Sequence, residues 1–471
     1  MGSGDAGRKG GAGVRSFIVL GGLLVLLLSA VLIAPLFVDW TAFRSDFERE
    51  ASRILGQPVR VTGEAEARLL PFPSVTFTDV VVGEPDAEPT MTLERFRMDA
   101  ELAPYLSGEI RIFQMTLDAP HLRVAMDEAG EQRILSLGDV GGSTVVLENV
   151  VVTDGRVSLQ SRERSRSREF TGIDAVLSAQ TLSGPFAGTG RLNAAGEALG
   201  FSLSSGRIEA DGRWPFRLTL GSDRLALDAT LDGQTILGDA QSDFDGRFEL
   251  VTRATEEGES TPEAALPPVR LTSDLALTRR EARFATLRAE IGPAERPYVL
   301  TGEGRLDIAD IPHFDLTLRG EQIDVDRLAG EPEAQSAGLG FAERAEAVRA
   351  TLAAIPRIEI PGRVALTLPI VTAGDTTIRD LSFSGSPSGD GWTISDLRAE
   401  LPGRTLVEAS GLLEVYERFA FDGRVLVAAR EPARFATWLA GEAPPQIASI
   451  GRAGFEARAR LSDEAQILEE L

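Results

Sequence analysis

A chain of 471 residues with 43% apolar and 25% charged side chains folds as several domains or one elongated one, and its balance is that of an ordered protein. The formal net charge of −23 disfavours nucleic acid as a partner and any broad docking onto anionic headgroups. Cysteine is absent, which excludes a disulfide framework and every thiolate metal site.

Residues 1–16 contain Arg8, Lys9 and Arg15 and read as a cytoplasmic tail. Residues 17–38 (FIVLGGLLVLLLSAVLIAPLFV) carry no charge. As a helix they extend roughly 33 Å, enough to cross a hydrocarbon core of about 30 Å. Phe17, Ile18, Leu23, Leu27, Leu32 and Phe37 are the expected membrane-anchor residues of this span. The basic flank before it, with Asp39 directly after, keeps the N-terminus in the cytoplasm and exports the remainder. A cleaved signal peptide is the competing reading, but its apolar region is usually ~7–15 residues and ends in an A-x-A-like site, which does not follow here.

Residues 39–57 form an expected amphipathic helix, with Phe43, Phe47, Ala51, Ile54 and Leu55 on one stripe, Thr41 as N-cap and Gly56 as the C-terminal stop. The period then changes from helix to strand. Across residues 58–330 short strands alternate apolar and polar positions, as antiparallel strands with one wet face do. Phe216, Leu218 and Leu220 oppose Arg217 and Thr219; Leu225, Leu227, Ala229 and Leu231 oppose Ala226, Asp228 and Thr230; Phe314, Leu316 and Leu318 oppose Asp315, Thr317 and Arg319. Asp-Gly-Arg at 154–156, 211–213, 245–247 and 422–424, and Pro-Gly-Arg at 361–363 and 402–404, read as hairpin turns in which glycine supplies positive φ.

Residues 255–268 form an acidic loop, and 331–356 a helical insertion with Phe341, Ala345, Val348 and Leu352 on one face. Strand patterning resumes over 357–471, with Val364, Leu366 and Leu368 sharing a face. Residues 431–440 read as a short helix, and 462–471 (SDEAQILEEL) as the opening turns of another, which makes the chain look like part of something longer.

Catalytic chemistry does not assemble from these residues. His121 and His313 fall in separate strand-like segments, and Lys9, the sole lysine, leaves no phosphate-binding loop. Gly188-Thr189-Gly190 and Gly302-Glu303-Gly304 lack the third glycine of a dinucleotide fingerprint, and Gly385–Gly389 has proline where a nucleophile elbow has serine. Asp243–Gly246 fails as a calcium loop, since Gln241 and Thr252 would occupy its first and last ligand positions. Asp324 and Asp326 are ordinary surface carboxylates, and the basic run at 162–168 (RERSRSR) is a solvated loop. A non-enzymatic protein without metal or cofactor is expected.

Gly56, Pro58, Val59, Val61 and Gly63, then Pro71 and Pro73, then Thr78-Asp79-Val80, follow in an order that resembles the N-terminal region of the AsmA family of bacterial envelope proteins. Leu316–Leu328, Gly391–Ile394, Leu401–Thr405 and Phe435–Leu439 (FATWL) also look like family segments. The resemblance implies a single-pass inner-membrane protein with most of its mass in the periplasm. It also implies a mainly β fold, a long, curled, antiparallel-rich sheet with an apolar inner surface and a few short helices. Such a protein shelters or conducts phospholipid acyl chains toward the outer membrane; the alternative is a scaffold for assembly of outer-membrane proteins that carries no lipid. Phe216, Leu218, Leu220, Leu225, Leu227, Leu231, Phe314, Leu316, Leu318, Val364, Leu366 and Leu368 are the candidate lining. A closed sandwich core is the competing reading of those positions.

Overall fold

Helix α1 (Arg44–Leu55) sets the pattern for the N-terminal region. Phe47, Ala51 and Leu55 recur at helical spacing on one face, Asp46 sits in the first turn and Arg53 in the last, favouring the helix dipole. Gly56, at φ 64°, ends it. The structure, a computed structural model, describes residues 44–68, 72–84, 90–101, 112–126, 147–161, 167–181, 183–236, 243–253, 268–278, 280–308, 311–324, 327–328, 357–373, 376–416, 418–440, 443, 445–462 and 466–469. The predicted membrane span at 17–38, with its anchor residues, and the predicted insertion at 331–356 lie outside them. Among the described residues no helix is long and apolar enough to cross a membrane. The molecule is mainly β and divides into two units, Met1–Ile208 and Glu209–Leu471.

In the first unit, β1 (Val59–Val61) and β2 (Ala65–Arg68) both pair with β3 (Ser74–Val82), so they are one strand interrupted at Gly63. A Cβ at Gly63 would lie 2.2 Å from Thr78 Oγ1, so only glycine allows this approach. The outer edge of β1 is satisfied by α1: Val59 N donates to Ser52 Oγ and Val61 N to Glu48 Oε1, each at 2.7 Å. This blunts an edge that would otherwise invite another strand. On its other side α1 stacks Phe47 on Phe77, ring centroids 4.0 Å apart, over the core of Val59, Val61, Phe77, Val80, Val82 and Leu93.

The sheet continues through β4 (Met91–Ala100), the interrupted strand β5 (Ile112–Asp118) and β6 (His121–Met126), then β7 (Leu147–Ser161), β8 (Ser167–Ala179), β9 (Phe186–Ala194) and β10 (Glu197–Ser205). Neighbours are antiparallel except where β5 and β6 run parallel to β7.

The second unit repeats the plan. Strands β11 (Arg213–Ser222), β12 (Leu227–Ile236), β13 (Phe244–Thr252), β14 (Val269–Leu277), β15 (Glu281–Ile291) and β16 (Tyr298–Asp307) form an antiparallel meander. The interrupted strand β17 (His313–Gly320) and β18 (Gln322–Asp324) follows, parallel to β19 (Gly362–Ala373). Strands β20 (Thr376–Ser388), β21 (Gly391–Leu401), β22 (Thr405–Glu414) and β23 (Ala420–Ala429) resume the meander. Helices α2 (Pro432–Ala440) and α3 (Pro445–Ala448) precede β24 (Ala453–Ser462) and β25 (Gln466–Glu469). The expected sheet is therefore mixed, with two parallel steps.

Three expectations are corrected. Of the predicted helix over 462–471, Ser462 instead ends β24 and Gln466–Glu469 form the strand β25, because Ile467 and Leu468 pair with Arg460 and Ala459; its other residues lie outside the described ones. Of the Asp-Gly-Arg triplets, 211–213 is a turn with Gly212 at φ 82°, whereas 154–156, 245–247 and 422–424 lie inside β7, β13 and β23. Pro-Gly-Arg at 402–404 does turn, with Gly403 at φ 77°, but at 361–363 it leads into β19.

The strand glycines have a packing reason. Gly233 and Gly246 face each other across β12 and β13, and a Cβ on either would lie 2.8 Å from Phe244 Cζ. The ring covers both positions, compensating for side chains the strand lacks. Gly246→Ala is expected to destabilise the protein by about 1–3 kcal/mol through overpacking. Gly451→Ala, where no atom lies within 4 Å of the added Cβ, should stay within about 0.5 kcal/mol of the parent. Denaturant unfolding of both variants checks the contrast.

Candidate functional site: an uncharged face

Strand alternation and register together build one apolar face in each unit. In the second, a row of directly paired residues begins at Phe216 and steps through Gly233, Gly246, Leu275, Phe284, Gly304, Leu316, Val364, Gly385, Ile394, Gly411, Gly423 and Ala459. A parallel row runs Leu287, Gly302, Leu318, Leu366, Phe383, Leu397, Ala409, Val425 and Ala457. Neither row contains a charged side chain.

The first unit has its counterpart in Phe77, Phe96, Leu117, Val152, Ala175, Gly190 and Phe201. Register shifts keep these rows in phase: the shift at Phe284/Leu287 puts two residues three positions apart on the same face.

Most of the expected lining falls on this face. Phe216, Leu218, Leu220, Leu227, Leu231, Phe314, Leu316, Leu318, Val364, Leu366 and Leu368 all occupy it by register. Leu225 does not: it sits in the turn before β12, where Ala226 takes φ 48° and breaks the alternation. Burial is uneven along the face. Leu368, Leu287, Leu300, Ala289 and Val371 form a local core. The other strand residues of the expected lining are half-buried, their apolar surface only partly covered.

The opposite face is polar and charge-paired. Arg217, Asp232, Arg247 and Asp274 form a cross-strand row, with Arg217 bonded to the Asp232 carboxylate. Arg458 and Arg460 flank Asp422 in the same manner. Exposed pairs of this kind add little stability each, but they assign this face to water. A recess of about 560 Å³ on it is lined by Asp232, Asp245, Arg247, Asp274 and Arg283 among others. Among the described residues no cluster of His, Asp and Glu is placed to hold a metal ion.

Other sequence candidates disperse. Gly188 and Gly190 lie in β9, Gly302 and Gly304 in β16, and Gly385 in β20, so none belongs to a phosphate-binding loop. Asp324 Oδ1 accepts from Arg327 N, while Asp326 lies outside the described residues. Arg168 is the second residue of β8, after Ser167, and residues 162–166 are likewise outside. His313 begins β17 opposite Asp307. His121 lies 2.7 Å (Nε2) from Ser158 Oγ on the polar side of β6. Burial, then the nearby Arg123 and Arg156 charges, hold its pKa below the usual 6.5, against the pull of Glu169. What sequence reasoning missed was the aromatic cover over strand glycines, although the repeated Phe-Asp-Gly-Arg at 244–247 and 421–424 marks it.

These features define a class: a mainly β protein each of whose two units presents one uncharged face, with a charge-paired opposite face in the second. Residues 12–140 match the model of the AsmA family, the family that the N-terminal motifs resemble. That match is consistent with a role in envelope assembly or lipid transport in general. Comparison with curated proteins gives no match.

The His121 environment carries a pH prediction. The unfolded chain binds more protons than the folded one between the depressed folded pKa and 6.5, so stability rises with pH across that interval and is lost as pH falls through it. Thermal melts of the parent and His121→Gln across mildly acidic pH should show this dependence shrinking in the variant.

Proposed function

We propose that the protein is a membrane-anchored envelope protein whose apolar face forms an open trough for phospholipid acyl chains, moving or sheltering them on the way to the outer membrane. In this reading residues 17–38 hold it in the inner membrane, the N-terminus is cytoplasmic and the β units are periplasmic. It performs no catalysis and needs no cofactor. The observation that carries the reading is the uncharged row from Phe216 to Ala459, in which Phe216, Phe284, Leu316 and Val364 are only half-buried. Each CH₂ withdrawn from water contributes about 0.8 kcal/mol, so a whole acyl chain is held firmly without any single anchoring residue. A lining without charges has nothing to arrest the chain at one point, which suits movement along it.

Purified from membranes and stripped of detergent, the chain is expected to retain phospholipid detectable by mass spectrometry. Leu316→Asp and Leu366→Asp each place a carboxylate in the trough and should lower retained lipid by more than about tenfold, given the cost of burying an unpaired charge. Thr367→Asp, on the polar face of β19, is the control and should retain lipid normally. Full retention by a folded Leu316→Asp protein rejects the reading. A parent protein that emerges empty favours the scaffold for outer-membrane protein assembly instead.

A further inference from the structure

The FATWL segment falls in α2, in an excursion of the chain that the sheet does not require. The chain leaves the sheet after Ala429 and returns at Ala453, and these two residues are cross-strand partners in the β23–β24 pair. The described residues between them, 430–440, 443 and 445–452, therefore belong to an appendage whose ends meet. Its return limb holds exposed Ile450 and then Gly451, around which no atom lies within 4 Å of a notional Cβ.

This appendage is fastened at two hairpin ends of the second unit. At the β21–β22 turn, Glu431 N donates to Gly403 O at 2.9 Å, and Gly403 approaches so closely that an added Cβ would lie 2.7 Å from Phe435 N. At the β19–β20 turn, Trp438 Nε1 donates to Thr376 Oγ1 at 2.6 Å. Phe435 and Trp438 lie against each other with ring centroids 5.7 Å apart. Thr376, Thr405 and Ala429, at the ends of the rows on the apolar face, are only 3%, 0% and 6% exposed.

The fastening is thin. A helix of nine residues is marginal by itself, and α2 has no acidic residue in its first turn and no basic one in its last. Short appendages of this kind belong to the low-stability end of a fold, from which gating elements are drawn.

We propose that α2 is a hinged strap over one rim of the apolar face in the second unit, and that it lifts to admit an acyl chain there. The inference rests on the trough reading above. In the docked state Trp438 and Phe435 bridge two hairpin ends and hold that rim shut; in the lifted state the rows ending at Thr376 and Thr405 open to the incoming chain.

The test uses the full chain in nanodiscs and donor vesicles of phosphatidylethanolamine and phosphatidylglycerol carrying a pyrene-labelled phospholipid. Trp438→Phe keeps the ring and removes the donor; Thr376→Val keeps the shape and removes the acceptor. Both should raise hydrogen exchange over 432–440 and accelerate lipid uptake about fivefold, the factor matching one typical hydrogen bond, with the same final lipid content. Uptake at the parent rate despite raised exchange overturns the strap, as does unchanged exchange in both variants. Absence of uptake by the parent and both variants alike overturns the trough reading, and the strap with it.

Discussion

Everything in this molecule depends on phase. A strand alternates its side chains with period two, so a slip of one residue in any pairing would turn a row of leucines toward water. The second unit keeps the phase from β11 to β24 across two different kinds of step. Antiparallel hairpins carry Phe216 to Gly233 and Gly304 to Leu316, and the parallel step carries Leu316 to Val364. Where a strand is one residue out, a register shift restores it, as between Ile394 and Leu397. The hydrophobic effect enforces this, because each leucine moved to the wet face would lose its burial while a polar neighbour took its place.

The alternation was the most legible feature. Phe314, Leu316 and Leu318, separated by Asp315 and Thr317, needed no tertiary information, and α1 was equally plain from the spacing of Phe47, Ala51 and Leu55. Three features were hidden for identifiable reasons. Asp-Gly-Arg is a turn signal only when glycine takes positive φ; Gly246 and Gly423 are instead covered by Phe244 and Phe421, which local propensity does not report. Residues 466–469 look helical in isolation, yet pairing with Arg458–Leu461 makes them a strand, a case of tertiary context overriding propensity. Leu225 fits the alternation on paper but stands one residue before a positive-φ alanine that ends it.

The two faces also divide the chemistry. Arginine and carboxylate side chains stand opposite one another on the wet side, as at Arg217 and Asp232 or Arg270 and Glu249. Their charges are largely neutralised in place, so the large negative total arises from residues beyond these pairs. The dry side is covered unevenly. In the first unit α1 closes it with Phe47 and Leu55; in the second, Leu287, Leu300 and Leu368, then Phe244, Leu275 and Ala282, then Ile394, Phe421 and Ala459 each close it locally among themselves. The remainder, partly covered, is where an external apolar partner gains most by contact.

The meander has a further property. Each antiparallel hairpin leaves the sheet in the same phase in which it entered, as Leu218 to Leu231 to Phe248 illustrates. Duplicating or deleting one hairpin would therefore lengthen or shorten the surface by a fixed increment and leave its cross-section untouched. Reach becomes a countable quantity, set by the number of modules rather than by redesign of any of them.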